Sequence, residues 1–238
     1  MRVTNSPYYY FNQLSEREQS IYNHILRALS TYNGTISLPY TEKLATVKRI
    51  VRSLHLDRPS LFYVHFWTYR AKKANEVKTA DGNEICGLHF QFCAEESSIL
   101  CVSNELREVA KEICQKIEAK ESTEEKYLEI IRAVVNTTVY NKTGNYYLDH
   151  SISGPLMLHT GVCEAMAKFM LILCQTAGLP CWVVSGDKGG GHAWNCVQID
   201  GEKRYVDPTA LRNKRLTAET VFHTREEMER RGYCPRFI

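Results

Sequence analysis

Apolar residues recur at helical spacing through the first half of the chain. In Leu14 to Ser30 they fall at Ile21, Ile25, Leu26 and Leu29, and Ser15 with Glu18 three residues later has the pattern of a capping box. A helix is predicted there and another over Thr41 to Leu54. Asp57-Arg58-Pro59 then breaks the chain, because proline disfavours helix in the residue before it. Ser103 is read as the cap of a third helix, with Leu106, Val109, Ala110, Ile113, Cys114 and Ile117 on one face. Thr123 starts a fourth, with Tyr127, Leu128, Ile131, Val134 and Val135 turned inward. Leu61 to Tyr69 is dense in aromatic residues and reads as a strand, as does Ile85 to Cys93.

The pattern changes in the second half. Asn141 to Gly161 is rich in loop residues, with Gly144, Gly154, Pro155 and Gly161. Cys163 to Ala177 is then apolar almost all round, which predicts a buried helix, and Gly178 with Pro180 just beyond marks its end. Three short strands follow at Cys181 to Ser185, His192 to Ile199 and Arg204 to Val206. The last two are joined by Asp200-Gly201, a strong hairpin signal. No repeat or low-complexity linker interrupts the chain. The expected architecture is α+β, with a mixed helix and strand region over 1–103 and a second region over 104–238, sharing one compact body.

Composition narrows the function classes. At 238 residues, 44% hydrophobic and 24% charged, the chain reads as a globular protein. A net charge of +3, with Lys and Arg dispersed among Asp and Glu, gives no basic stripe for nucleic acid. Met1 to Phe11 lacks the apolar core of a signal peptide, and the longest apolar-rich run, Phe169 to Leu173, is far short of the ~20 residues of a membrane span. A cytoplasmic location with no membrane partner is expected. The nine cysteines are irregularly spaced and form no CxxC pair, so neither a zinc site nor any other cofactor is expected, and most are read as reduced core residues.

One cysteine stands apart. Cys163 is the first residue of the apolar helix and follows a glycine-containing turn. A helix N-terminus offers unpaired N–H groups and partial positive charge, surroundings that favour thiolate over thiol. The same N–H groups can stabilise an oxyanion. His192 opens a strand after Gly189-Gly190-Gly191, and Asp207 ends the next strand before Pro208. Counting back and forward from the turn puts the two at the same end of the hairpin, where Asp207 could accept the Nδ1 proton of His192. Each residue has a plainer reading: a packed cysteine, a satisfied histidine, a turn aspartate. Their order along helix start, strand and strand end is what assembles one site.

The segments GVCEAMAKFMLILCQTAGLPCWVVSG and GHAWNCVQIDGEKRYVDPT resemble the core of the transglutaminase-like superfamily, with its Cys at a helix start, His in an HAWN-type strand and Asp in a VDPT-type strand end. The flanks LDHSISGPL, DRPSLFYV and FHTREEMERRGY look more loosely like bacterial members. The resemblance implies a papain-like α+β fold, with the nucleophile helix packed on an antiparallel sheet. It assigns catalysis to Cys163, His192 and Asp207 and implies acyl transfer through a thioester, acting on the carboxamide or peptide bonds of a protein or peptide substrate. Water as acceptor gives a peptidase or deamidase; a primary amine gives a transglutaminase. One oxyanion donor would be the Cys163 N–H, and Tyr147 or His150 is a candidate for the second. Trp194, two residues after His192 on the same strand face, is a candidate wall of the acyl tunnel or a core residue. Ala165-Met166-Ala167 stands where many bacterial relatives have Gly-Tyr-Ala, which removes a tyrosine from the first turn. No calcium-site region of the large animal enzymes is recognisable, so no metal is expected. The competing readings are an inactive transglutaminase-like interaction module and a redox- or metal-sensing protein; an intact triad disfavours the first and unpaired cysteine spacing the second.

Overall fold

The computed structural model describes residues 8–71, 84–212 and 214–236. Residues 1–7, the greater part of the N-terminal run read above for a leader, lie outside the described residues. The chain divides into two compact units, Met1–Glu95 and Glu96–Ile238.

The first unit contains α1 (Glu16–Ser30), β1 (Thr35–Lys43), α2 (Leu44–Asp57), β2 (Val64–Ala71) and β3 (Glu84–Phe92). Ser15 and Glu18 form the capping box reciprocally. The strands make an antiparallel sheet in the order β1-β3-β2. Its core joins Ile21, Tyr22, Ile25 and Leu29 of α1, Val47, Ile50 and Leu54 of α2, and Ile36, Ile85, Leu88 and Phe90 of the sheet. The helical spacing of Thr41 to Leu54 misplaces the helix start, because Thr41 to Lys43 belong to β1. Pro39 lacks an N–H for the ladder, and the β1–β3 register slips between Ser37 and Glu42. That irregular edge strand carries little of the alternation that would announce it.

The second unit begins with α3 (Glu96–Glu118) and α4 (Thr123–Thr137), the latter capped by Ser122 with Glu125. Ser103 is therefore no cap. It sits inside α3 and its hydroxyl donates back to the Ile99 carbonyl at 2.7 Å, the alternative use of a serine on a helix. The loop-rich stretch holds β4 (Val139–Tyr140), α5 (Tyr146–His150), a π-helical turn over Gly154–Leu158 and β5 (Thr160–Gly161), with β4 and β5 paired in parallel. Next come α6 (Cys163–Thr176), β6 (Cys181–Asp187), β7 (Gly191–Ile199), β8 (Glu202–Val206), α7 (Ala218–Val221), α8 (Arg225–Arg230) and β9 (Cys234–Pro235).

The last four strands form an antiparallel sheet in the order β8-β7-β6-β9. Asp200 and Gly201 both take positive φ, the backbone a two-residue hairpin turn requires. Helix α6 packs on β6 and β7 on one side and on α3 and α4 on another. That is why it is apolar all round: every residue from Cys163 to Cys174 except Glu164 is buried. This is an α+β core with the helix that begins at Cys163 laid on an antiparallel sheet.

All nine cysteines are free, but only Cys163, Cys174, Cys181 and Cys196 are buried, fewer than their sequence surroundings suggest. Cys101 lies on the outward face of amphipathic α3 and Cys234 on an edge strand, and both are exposed. Among the described residues no helix is long and apolar enough to cross a membrane. Nor do any three or more His, Cys, Asp or Glu among them group to hold a metal ion.

Candidate active site

Cys163 occupies the first position of α6, so its N–H has no acceptor within the helix. The residue before it, Val162, is held by its N–H donating to the Asp149 carbonyl at 3.0 Å. Asp149 in turn accepts from the N–H and hydroxyl of Thr143 and from the N–H of Gly144, which pins the loop that leads to the nucleophile. Gly161 admits the first turn closely, since a Cβ there would lie 2.8 Å from the Ala165 methyl.

His192 lies near the start of β7, opposite Gly186 of β6. Asn195, three residues on, is fully buried and donates through its side-chain amide to the Ala167 carbonyl at 2.9 Å, which ties the histidine strand to α6. Asp207 follows β8. Extending the β7–β8 register places it opposite Trp194, and its side chain reaches toward His192. The contact is His192 Nε2 to Asp207 Oδ2 at 2.9 Å. This corrects the choice of ring nitrogen made from the hairpin count, which assigned Nδ1 to the carboxylate. Counting register fixes which residues meet but not how an imidazole is turned. With Nε2 engaged by Asp207, Nδ1 is the ring nitrogen left for another partner, and interaction with Cys163 is among the causes that raise the imidazole's pKa.

The electrostatics follow from these bonds. Burial pushes the His192 imidazole down, but hydrogen bonds to Asp207 and Cys163 outweigh it and lift its pKa to about 9. Burial pushes the Asp207 carboxyl up, yet hydrogen bonds from His192, Thr209 and Tyr233 bring it down to about 2. Thr209 supplies both its N–H at 3.0 Å and its hydroxyl at 2.6 Å to Oδ1. Tyr233 donates its hydroxyl to Oδ2 at 2.6 Å.

The remaining sequence candidates stand differently. Tyr147 accepts a 2.6 Å hydrogen bond from the Ser153 hydroxyl. His150 is paired through Nδ1 with Glu164 at 2.9 Å, and its ring stacks on Tyr146 with centroids 4.2 Å apart. Glu164 also pairs with buried Lys168 at 2.7 Å. Trp194 shares the strand face of His192 and stacks on it at 6.0 Å, but the indole is fully buried, packed edge-on against Tyr233 at 5.2 Å. Its place is under the imidazole, which it supports.

Three contributors escape the sequence reading. Lys188 meets Asp207 at 3.6 Å from a segment with no motif of its own, and Tyr233 meets it from the end of the loosely matching flank FHTREEMERRGY. Tyr140 pairs with Gly161 two residues before Cys163, and its phenol interacts electrostatically with both Cys163 and Asp207. The only sequence signal for Tyr140 is an aromatic residue at the mouth of the loop-rich stretch.

Residues 107–208 match the model of the family described as the Transglutaminase-like superfamily, a span that contains Cys163, His192 and Asp207. Among solved structures the chain is similar to a TGase at 16% identity, covering 77% of this chain and 53% of that one with a TM-score of 0.43. It is also similar to a candidate cysteine protease from Cytophaga hutchinsonii, at 16% identity, 59% and 55% coverage and a TM-score of 0.38. A candidate protease from Parabacteroides distasonis aligns at 14% identity, 57% and 30% coverage and a TM-score of 0.35. The chain thus spans about half, or less, of the length of these structures. No curated protein matches it. By that match, residues 107–208 are similar to the core of the transglutaminase-like superfamily.

Proposed function

We propose that this chain is a thiol-dependent acyl-transfer enzyme acting on carboxamide or peptide bonds of a protein or peptide, with Cys163 as nucleophile, His192 as acid and base, and Asp207 as its orienting carboxylate. The observation that carries the reading is the imidazole of His192, bonded through Nε2 to a buried carboxylate and interacting with Cys163 at a helix start.

In the first step the Cys163 proton resides on His192 and the thiolate attacks the carbonyl carbon. The resulting oxyanion is met by the Cys163 N–H. The phenol of Tyr140, which interacts electrostatically with Cys163, joins Tyr147 as a candidate for the second donor. Tyr147 accepts from Ser153 in a bond that does not use its own hydroxyl proton, while His150 is engaged by Glu164 through Nδ1. The C–N bond breaks as His192 passes its proton to the leaving amine, and a thioester on Cys163 remains. His192 then takes a proton from water or from a primary amine, whose oxygen or nitrogen bonds to the acyl carbon while sulfur leaves. Water returns an acid, which is hydrolysis or deamidation; an amine gives a new amide. Tyr233 and Thr209 keep Asp207 ionised throughout, so the Nε2 proton stays on His192.

Iodoacetamide labelling of the full chain across pH 5 to 9 tests the reading. Cys163 should be alkylated ahead of the other eight cysteines at low pH, and this preference should vanish in His192→Ala. Uniform slow labelling of all nine would favour an inactive interaction module. Glutamine-containing peptides, incubated with and without a primary amine, then separate hydrolysis from transamidation by the product mass.

A further inference from the structure

Asp207 is held by more groups than orienting one imidazole requires. Thr209 occupies Oδ1. On Oδ2, His192 shares the oxygen with the Tyr233 hydroxyl, and the Lys188 ammonium stands 3.6 Å away. Lys188 also hydrogen-bonds the Tyr233 hydroxyl and lies 4.0 Å from the centre of its ring. The three form a chain: ammonium to phenol, phenol to carboxylate.

The fold fixes both partners. Lys188 sits in the tight turn between β6 and β7, where Asp187 accepts from the N–H groups of Gly189 and Gly190, and the Lys188 N–H donates to the Gly190 carbonyl at 2.9 Å. Gly189 and Gly190 have φ of 70° and 149°, values that side chains rarely adopt. Tyr233 is delivered by β9, which pairs with β6 at Gly186 and Asp187. A Cβ on Gly186 would fall 2.3 Å from the Cys234 carbonyl oxygen and 2.5 Å from the Trp194 ring, so β9 and the indole close over this edge only because residue 186 is glycine.

We propose that Lys188 and Tyr233 are positioning residues which draw on the charge of Asp207 Oδ2 and so weaken the hold of His192 on its proton. The inference rests on the reading of His192 as the acid and base of Cys163. An imidazolium gripped by an undiluted carboxylate is a poor acid toward a leaving amine. A cation and a phenol placed on the same oxygen temper that grip while Thr209 keeps the carboxylate in orientation.

The groups that face this pair can be named from each element: Cys163 from α6, Tyr140 from β4, Asp207 after β8, Lys188 from the turn, and Tyr233 with Arg231 near it from the segment before β9. Burial pushes both tyrosines up, so they remain neutral while His192 titrates. Lys188 is the cation whose removal changes the field without emptying the core, because it is a third exposed.

The test is a histidine NMR titration of the full chain labelled with ¹⁵N and ¹³C in histidine, with His192→Ala identifying the signal. Lys188→Met should move the His192 midpoint upward by about half a pH unit, and Lys188→Arg should restore it. Tyr233→Phe, which keeps the ring, should move it in the same direction by less. An unchanged or lowered midpoint in Lys188→Met, with the circular dichroism spectrum of the wild type, overturns the inference. Because the titration needs no substrate, its outcome is separate from the alkylation result that decides whether Cys163 is a nucleophile.

Discussion

Two aspartates, one in each unit, are about equally buried and titrate in opposite directions. Asp57 is 2% exposed and its carboxyl is pushed up to about 6, burial being the largest cause. Asp207 is 5% exposed and is brought down to about 2. Both accept hydrogen bonds. Asp57 takes the N–H groups of Tyr10 and Phe11 at 3.1 and 2.7 Å and the Tyr22 hydroxyl at 3.5 Å. The difference lies in what surrounds those bonds. Asp57 ends α2, where the helix carbonyls point at a negative charge. Asp207 precedes the 3-10 turn Pro208–Leu211 and caps it, so the Thr209 N–H points toward the carboxylate, with the Thr209 hydroxyl beside it. It also has an imidazole that gains charge beside it, a short phenol bond and an ammonium. Burial raises the cost of a charge in both places; only the second supplies enough donors to overcome it. One carboxylate clamps a chain segment and the other is kept ionised beside an imidazole.

The largest way to break this contrast is to remove the charge on Asp207. Asp207→Ala should lower turnover of a glutamine peptide about 100-fold or more, and the His192 midpoint should fall from about 9 toward its ordinary value. A variant that retains wild-type turnover would deny the carboxylate its role.

A smaller effect sharpens the other side. Because the folded pKa of Asp57 lies above its unfolded value, the folded state binds the extra proton between about 6 and the ordinary carboxylate range. Stability from this group therefore rises as pH falls through 6 and levels off near 4. Asp207 runs the opposite way: its contribution is present above the ordinary carboxylate range and is lost as pH falls through about 2. Urea midpoints at pH 7 and pH 5 should show the gain on acidification in the wild type and a reduced gain in Asp57→Asn. Equal gains in both would remove Asp57 as the cause.

The smallest effect is the most specific. Thr209→Val deletes the 2.6 Å hydroxyl bond to Asp207 but leaves the backbone N–H in place. It should move Asp207 part of the way toward Asp57-like behaviour, visible as a raised carboxyl midpoint in a ¹³C titration and a loss of turnover of about 3-fold, a fraction of what one hydrogen bond to a charged group contributes because the backbone N–H still holds Oδ1. No change in the midpoint would mean that His192 and Tyr233 alone hold the carboxylate down.

How much of this was legible in the sequence depends on the range of the interaction. Ser15 with Glu18, the all-round apolar run after Cys163, Gly178 at its end and Asp200-Gly201 are local devices, and each predicts the element that forms. That His192 meets Asp207 is legible because strand pairing converts their spacing into proximity. Tyr233 and Lys188 are not, since they reach Asp207 only after a two-residue strand docks on β6 and a glycine turn closes. The ring nitrogen facing Asp207 is invisible for a related reason: it depends on side-chain rotation against Trp194 and Tyr233, which no spacing encodes. Ser103 misleads because a serine hydroxyl serves equally well as a cap or as a bond back to the preceding turn.

The stack of Trp194 beneath His192 has a consequence of its own. The indole is sealed from water and lies at 27° to the imidazole plane. A ring that alternates between neutral and cationic states beside an indole alters its excited state, so the emission of Trp194 carries information on the charge of His192. The chain holds only two other tryptophans, Trp67 and Trp182. The site thus contains its own optical gauge, with no label to attach and no substrate needed to read it.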